Sequence, residues 1–183
     1  RTIRLLFVGR LSIEKNVPKI IQALSLVKYK VILDIVGDGE QKEEIIKEIK
    51  KSRLEKQINV VGNLTTKELN AFYKKSDILL LPSEYECFSS VLLEAMAIGI
   101  PIIASDIPGT RNIIKNGYNG LLVKPTSEKI AEAIEKLINN PQLRKKLAEN
   151  GLKEVKKYSW DKIVEQTEQV YKEVLKQNAN KKK

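Results

Sequence analysis

The chain is expected to fold as an α/β protein, a three-layer arrangement with a doubly wound parallel sheet of about six strands and helices on both faces. Three observations lead there. Short apolar runs are unbroken, as in strands covered on both sides, rather than alternating as in half-exposed ones. These runs alternate with stretches of helical periodicity. The loops that follow the runs carry the glycines and most of the chemically pointed residues.

The strand candidates in order are Ile3–Val8, Lys30–Val36, Ile58–Val61, Ile78–Leu81, Ile102–Ala104 and Leu121–Val123. Between them the spacing predicts helices at Pro18–Val27, Gln41–Leu54, Thr66–Lys74, Ser89–Ile98 and Thr110–Lys115. After the last strand everything reads as helix. Glu128–Ile138 places Ile130, Ile134, Leu137 and Ile138 on one stripe, and Pro141–Lys157 follows. Trp160, Ile163, Val164, Thr167, Val170, Tyr171, Val174 and Leu175 then keep i, i+3/i+4 spacing, with Ser159 placed to cap. A β/α alternation with a helical tail describes a Rossmann-like domain over 1–177, and 178–183 reads as a disordered basic tail.

Composition bounds the function classes. Hydrophobic residues make up 42% and charged residues 31% of the 183, which suits one domain with a sizeable core. No run approaches the roughly 18–20 apolar residues of a membrane span. The chain opens directly on a strand, which predicts a piece cut from a longer protein. Cys87 is the single cysteine and there is no histidine, so a disulfide framework, a histidine metal site and a histidine base are all excluded within the chain. A reducing, cytoplasmic setting is expected. The net charge of +10 has two readings. It marks the solvated faces of helices such as Lys42–Lys56 and Arg144–Lys157, or it attracts anionic ligands and leaves peripheral contact with the anionic inner membrane surface open. Nucleic acid is not expected as a partner, because aromatics are 5% of the chain and do not alternate with the basic residues as a stacking groove requires.

Residues 82–101, Pro-Ser-Glu-Tyr-Glu-Cys-Phe-Ser-Ser-Val-Leu-Leu-Glu-Ala-Met-Ala-Ile-Gly-Ile-Pro, carry the sharpest signal. A helix start there offers unpaired amides and the positive end of the macrodipole, a ready anion site. Glu86 stands just before that helix, and Glu94 stands within it and leans back toward its start. From Ser89 to Glu94 the rise is roughly 7.5 Å. Two carboxylates can therefore flank a diphosphate and accept from hydroxyls on both sides of it, the layout of a nucleotide sugar. After the first strand, Gly9 permits close approach, Arg10 offers a fork for phosphate oxygens, and Lys15 adds a point charge. Neither this loop nor Gly37-Asp38-Gly39 matches a Walker A loop, and Gly37-Asp38-Gly39 also reads as a plain strand-to-helix turn. All these loops fall beyond the carboxyl ends of strands, where open sheets of this kind bind ligands.

The spacing Glu86-x7-Glu94, after Pro82-Ser83 and with the tail Glu94-Ala95-Met96-Ala97-x-Gly99-x-Pro101, resembles the signature of retaining GT-B glycosyltransferases of family 4, group 1. The resemblance extends to Val8-Gly9-Arg10-Leu11, Glu14-Lys15, Val36-Gly37-Asp38-Gly39, Val60-Val61-Gly62 and Asn119-Gly120-Leu121-Leu122-Val123. It covers almost the whole chain but only the C-terminal, donor-binding half of such an enzyme. It implies a hexosyltransferase that binds an NDP-sugar as substrate, with no further cofactor, and works with its own N-terminal acceptor-binding domain. The isolated half is expected to be inactive. Arg10, Lys15 and Glu86 would be catalytic, the two cations on the diphosphate and Glu86 at the hexose. Glu94 would bind the ribose, Leu64 would meet the base through its backbone, and Gly9 and Gly37 would line the nucleotide. Cys87, Phe88, Ser89 and Ser90 would face the diphosphate and hexose, Phe88 to Ser90 through backbone amides.

Three departures from the resembled pattern matter. Asn16 replaces a common glycine after Lys15, and asparagine tolerates a left-handed backbone. Ser89 replaces a glycine, can N-cap the helix, and narrows the sugar space. Gly109-Thr110-Arg111-Asn112 lacks the acid often found there. No Asp-x-Asp motif is present, so a metal-independent reaction is expected, with Arg10, Lys15 and the helix dipole doing a metal's work. Cys87 has no histidine partner and reads as a packing or backbone position, Met96 as core, and Glu84 as a solvated loop residue. The alternatives are a non-catalytic nucleotide or phosphate-binding module, a sugar-nucleotide epimerase of the same architecture, and a basic RNA-binding domain.

Overall fold

The computed structural model describes residues 2–181, with side chains through 177. Strands β1 (Ile3–Val8), β2 (Val31–Val36), β3 (Ile58–Gly62), β4 (Ile78–Leu81), β5 (Ile102–Ser105) and β6 (Leu121–Val123) form one sheet in the order β3-β2-β1-β4-β5-β6. Every neighbouring pair is parallel. Helices α1 (Val17–Leu24), α2 (Lys42–Lys51), α3 (Thr66–Lys75), α4 (Ser90–Ile98), α5 (Pro108–Arg111), α6 (Ser127–Asn139), α7 (Pro141–Glu154) and α8 (Trp160–Lys181) complete the chain, with short 3₁₀ turns at Ile13–Lys15 and Val155–Tyr158. Helix α1 packs against α2 and α6, and α4 packs against α3 and α7. The expected doubly wound α/β architecture is therefore present.

The central strands explain the unbroken apolar runs. Leu5, Leu6, Leu33, Ile35, Leu79 and Ile102 are all fully buried. Burying one such side chain stabilises by roughly 1.5–3 kcal/mol relative to exposure. The exception is Asp34 on β2, also buried, which accepts from Asn59 Nδ2 at 2.8 Å and lies 3.2 Å from Lys75 Nζ and 3.4 Å from Arg4 Nη1. Two cations and an amide answer its charge, so Asp34 is locked into the sheet rather than offered at a strand end.

Sequence and structure differ in three places after β5. The helix expected at Thr110–Lys115 is a single turn, Pro108–Arg111. Asn119 ends it: its Nδ2 donates to Ile113 O at 3.0 Å and its Oδ1 accepts from Lys115 N at 2.7 Å, taking backbone groups that a longer helix would pair. Helix α7 stops at Glu154 rather than Lys157 and tightens into the 3₁₀ turn, where Glu154 accepts from Lys157 at 2.8 Å and Lys115 at 3.2 Å. Helix α8 forms as expected, but its apolar stripe is uncovered: Trp160 is 80%, Tyr171 66% and Leu175 69% exposed. Within the domain its main packing partner is the 3₁₀ turn that precedes it. Of the tail expected from 178, the backbone stays helical through Lys181, and 182–183 lie outside the described residues.

The strand order reverses between β1 and β4, since β2 and β3 lie on one side of β1 and β4 to β6 on the other. At such a reversal the connections leave in opposite directions and open a crevice beyond the carboxyl ends. The loops that end β1, β2 and β3 lock together beside it. Gly9 N donates to Val36 O at 3.0 Å, and Gly37 N to Gly62 O at 2.9 Å. Gly37 has φ +133°, and a Cβ added there would stand 1.9 Å from Gly9 O. Gly37→Ala is therefore expected to cost about 2–4 kcal/mol, from a forbidden backbone conformation and a backbone clash together. Urea denaturation checks this, and a loss within measurement error would contradict the assigned geometry.

Candidate functional site

Lys15 and Glu86 meet at the reversal of strand order. Lys15 closes the 3₁₀ turn after β1, and Asn16 follows in the left-handed region at φ 58°. That conformation, which asparagine tolerates, turns the chain into α1. Glu86 comes from the loop after β4. Lys15 Nζ and Glu86 Oε1 are 2.6 Å apart, and the two side chains are 20% and 9% exposed. Ser83 Oγ donates to the same oxygen at 2.9 Å. The backbones of the two loops are joined as well, Glu84 N donating to Glu14 O at 2.8 Å.

A third loop closes in behind Glu86. A Cβ on Gly109, after β5, would stand 1.8 Å from Glu86 O, so only glycine allows this approach. Thr110, fully buried, donates to Ser105 O and pins the turn. Ser83 and Gly109 are site residues that the sequence reading left without a role. Ser83 stood in the quoted motif, but its partner became visible only once the loop had folded back on itself.

Helix α4 begins beside the pair. Ser89 occupies the N-cap position and is buried, yet its hydroxyl makes no capping bond, contrary to expectation. Among the described residues, the N–H groups of Phe88, Ser89 and Ser90 donate to no internal partner and remain free. The Phe88 ring turns away to Tyr158, with centroids 6.0 Å apart. Cys87 is exposed, its thiol 3.0 Å from the Tyr85 hydroxyl. Glu84 is exposed, as a solvated loop residue should be.

On the β2–β3 side of the crevice lies a cavity of about 410 Å³. Val8, Gly9, Arg10, Val36, Gly37, Asp38, Asn63, Leu64 and Leu69 line it. The sequence-chosen residues Gly9, Arg10, Gly37 and Leu64 thus share one hollow. Arg10 is exposed and, among the described residues, free of ion pairs. Asp38 accepts from Lys42 Nζ at 2.6 Å and from Gly39 N at 2.8 Å, and these bonds, Lys42 first, hold its carboxyl below the usual range. The hollow therefore pairs apolar walls with one fixed anion and one exposed cation. That suits a flat ring with donor groups better than it suits a phosphate.

Glu94 connects the two regions. It is exposed on α4, and its Oε2 accepts from the Tyr73 hydroxyl on α3 at 2.8 Å. Arg111 is engaged elsewhere, its Nε 2.7 Å from Asp106 Oδ1. Among the described residues no group of three or more His, Cys, Asp or Glu could hold a metal ion. The site thus combines free amides at a helix start, an exposed guanidinium, a lysine held by a largely buried carboxylate, and a second carboxylate roughly one and a half helical turns from the helix start. Such a set can hold a diphosphate and grip hydroxyls at either end of it.

The Lys15–Glu86 pair carries its own test. Lys15→Met leaves Glu86 largely buried with only a serine hydroxyl, and a stability loss of about 1–3 kcal/mol is expected. Adding Glu86→Gln should restore most of it, because the uncompensated charge is gone. Chemical denaturation of the two single variants and the double variant measures the coupling, and strictly additive losses would show that the pair does not interact.

Comparison with known proteins matches residues 1–154 to the family described as glycosyl transferases group 1. An uncharacterised glycosyltransferase of Methanocaldococcus jannaschii is 36% identical over 170 residues, 92% of this chain and 48% of its own length. The chain thus spans about half the length of the curated relatives it matches. Among solved structures, the C-terminal domain of a glycosyl transferase group 1 family protein (LpcC) from Francisella tularensis superposes with TM-score 0.77 at 29% identity, covering 86% of this chain and 87% of that one. Anabaena HepE in complex with UDP-glucose superposes with TM-score 0.80 at 26% identity, covering 85% and 44%. With the strand order, the loop set and the matched residues in agreement, the chain belongs to the glycosyl transferases group 1 family and has the fold of the C-terminal half of a GT-B glycosyltransferase.

Proposed function

We propose that this chain is the donor half of a retaining hexosyltransferase, binding an NDP-sugar between the cavity beside β2 and β3 and the start of α4. The observation that carries the reading is the meeting of Lys15 and Glu86 beside unpaired α4 amides, next to the hollow that holds Arg10. The base and ribose occupy the hollow, with the Leu64 backbone against the base and Glu94 on the ribose hydroxyls. The diphosphate lies over the free amides of Phe88, Ser89 and Ser90. The hexose reaches Glu86. A relative whose structure holds UDP-glucose shares this fold, which supports a uridine nucleotide as the first donor to try.

When the bond between the anomeric carbon and the diphosphate oxygen breaks, its electron pair leaves with the nucleotide. Arg10, Lys15 and the dipole of α4 face that developing charge and stabilise it as fixed, pre-oriented positive groups. The acceptor hydroxyl then bonds to the anomeric carbon on the face the nucleotide left, and its proton passes to the departing diphosphate oxygen. We assign acceptor binding to a separate N-terminal domain of the same polypeptide. The twofold length of the relatives and the uncovered apolar stripe of α8 both support such a partner. A cytoplasmic setting, where nucleotide sugars are available, belongs to the same reading.

A thermal-shift panel of UDP, GDP, ADP and their hexose conjugates tests this directly. One base series should raise the melting temperature by several degrees, and calorimetry should show Glu94→Ala weakening that nucleotide about tenfold, or roughly 1.4 kcal/mol. The chain alone should bind donor without transferring its sugar. No shift with any nucleotide at millimolar concentration would refute donor binding, and transfer at a rate matching a full-length relative would refute the assignment of the acceptor site.

A further inference from the structure

We propose that Tyr73 is a positioning residue for the donor ribose: its hydroxyl holds one oxygen of Glu94 so that the other is presented to the ribose hydroxyls. The inference rests on the assignment of Glu94 to the ribose made above. It concerns a residue on α3, outside the motif that drew attention to Glu94.

The geometry is specific. Tyr73 is 1% exposed, and its only polar side-chain atom donates to Glu94 Oε2 at 2.8 Å. Glu94 itself is exposed, and no other group among the described residues restrains its carboxylate. A glutamate on an open helix face samples several rotamers, and fixing it before a ligand arrives removes part of the ordering cost of binding. Oε2 is engaged by Tyr73, which leaves Oε1 with its full accepting capacity toward solvent.

Tyr73 stands on the helix that walls the hollow. Leu69 and Tyr73 are four residues apart on α3, hence on one face, and Leu69 lines the cavity. A long side chain on a helix leans toward the N-terminus, so the Tyr73 ring leans toward Leu69 and the cavity. The start of α3 is fixed there too, because Thr65 and Glu68 form a capping box directly after Leu64. The loop residue Leu64 and the α3 residue Leu69 thus supply wall at the start of the helix, and Tyr73 supplies the anchor of Glu94 near its end. Burial, and then the bond to Glu94, push the Tyr73 phenol far above its usual range, so it remains a proton donor throughout the working pH range.

The test compares UDP with 2′,3′-dideoxy-UDP by calorimetry, with the GDP and ADP pairs run alongside. In the unmodified chain, losing the ribose hydroxyls should weaken binding about tenfold. In Tyr73→Phe, which keeps the buried ring, the diphosphate with its hydroxyls should bind about three- to fivefold more weakly, and the dideoxy penalty should shrink to about twofold. Combining Tyr73→Phe with Glu94→Ala should cost no more than Glu94→Ala alone. Glu94→Asp provides a second variant at an exposed site that leaves the core untouched. Its carboxylate is one methylene short of Tyr73, and it should show the same shrunken penalty. An unchanged dideoxy penalty in Tyr73→Phe or Glu94→Asp, or additive losses in the double variant, would overturn the inference while leaving nucleotide binding intact. Absence of binding by the unmodified chain would instead overturn the ribose assignment beneath it.

Discussion

Parallel pairing of β1 with β4 is the constraint on which the rest depends. It brings Lys15 and Glu86, 71 residues apart in sequence, within 2.6 Å of each other. It also makes the strand order reverse at that point, so the loops there part and leave a crevice. The crevice is walled by backbone as much as by side chains. Gly37 passes against Gly9, and Gly109 against Glu86, at distances that only a missing Cβ permits. The site is therefore stiff at its base, while its rim carries the exposed Arg10 and Glu94.

Charge is distributed with the same logic. The two carboxylates of the motif are treated differently by their surroundings. Glu86 is largely buried and holds both a cation and a hydroxyl, whereas Glu94 is exposed and held by one buried phenol. The first arrangement ties two loops together and keeps Lys15 oriented before any ligand is present. The second leaves one oxygen for a ligand. The high overall basicity is mostly a property of exposed helix faces, while the cations that matter are few and positioned by loops.

Much of this was legible in the chain. The six strand runs, the helix order and the motif loops were recognisable because alternation of apolar runs with helical periodicity is a local property. Arg10, Lys15, Glu86 and Glu94 were candidates because residue type and offset from a helix start already limit the chemistry. The helix expected at Thr110–Lys115 was misjudged because Asn119, several residues downstream, captures its backbone groups. Ser89 was expected to cap α4 with its hydroxyl, and it occupies the N-cap position without making that bond. Tyr73 carried no signal, because its partner Glu94 lies 21 residues away on another helix.

By itself, then, the amino-acid order determined the kinds of element, their succession, and the groups available for binding at each loop. These follow from periodicity, capping chemistry and backbone freedom within a few residues. Only the tertiary structure decided which strands are neighbours, that Lys15 pairs with Glu86 through Ser83's company, that Tyr73 reaches Glu94, and that the stripe of α8 finds no cover within this domain. Each of these is a contact between residues distant in sequence. Their meeting is set by how whole elements pack, and packing is selected by total buried area rather than by any local pattern.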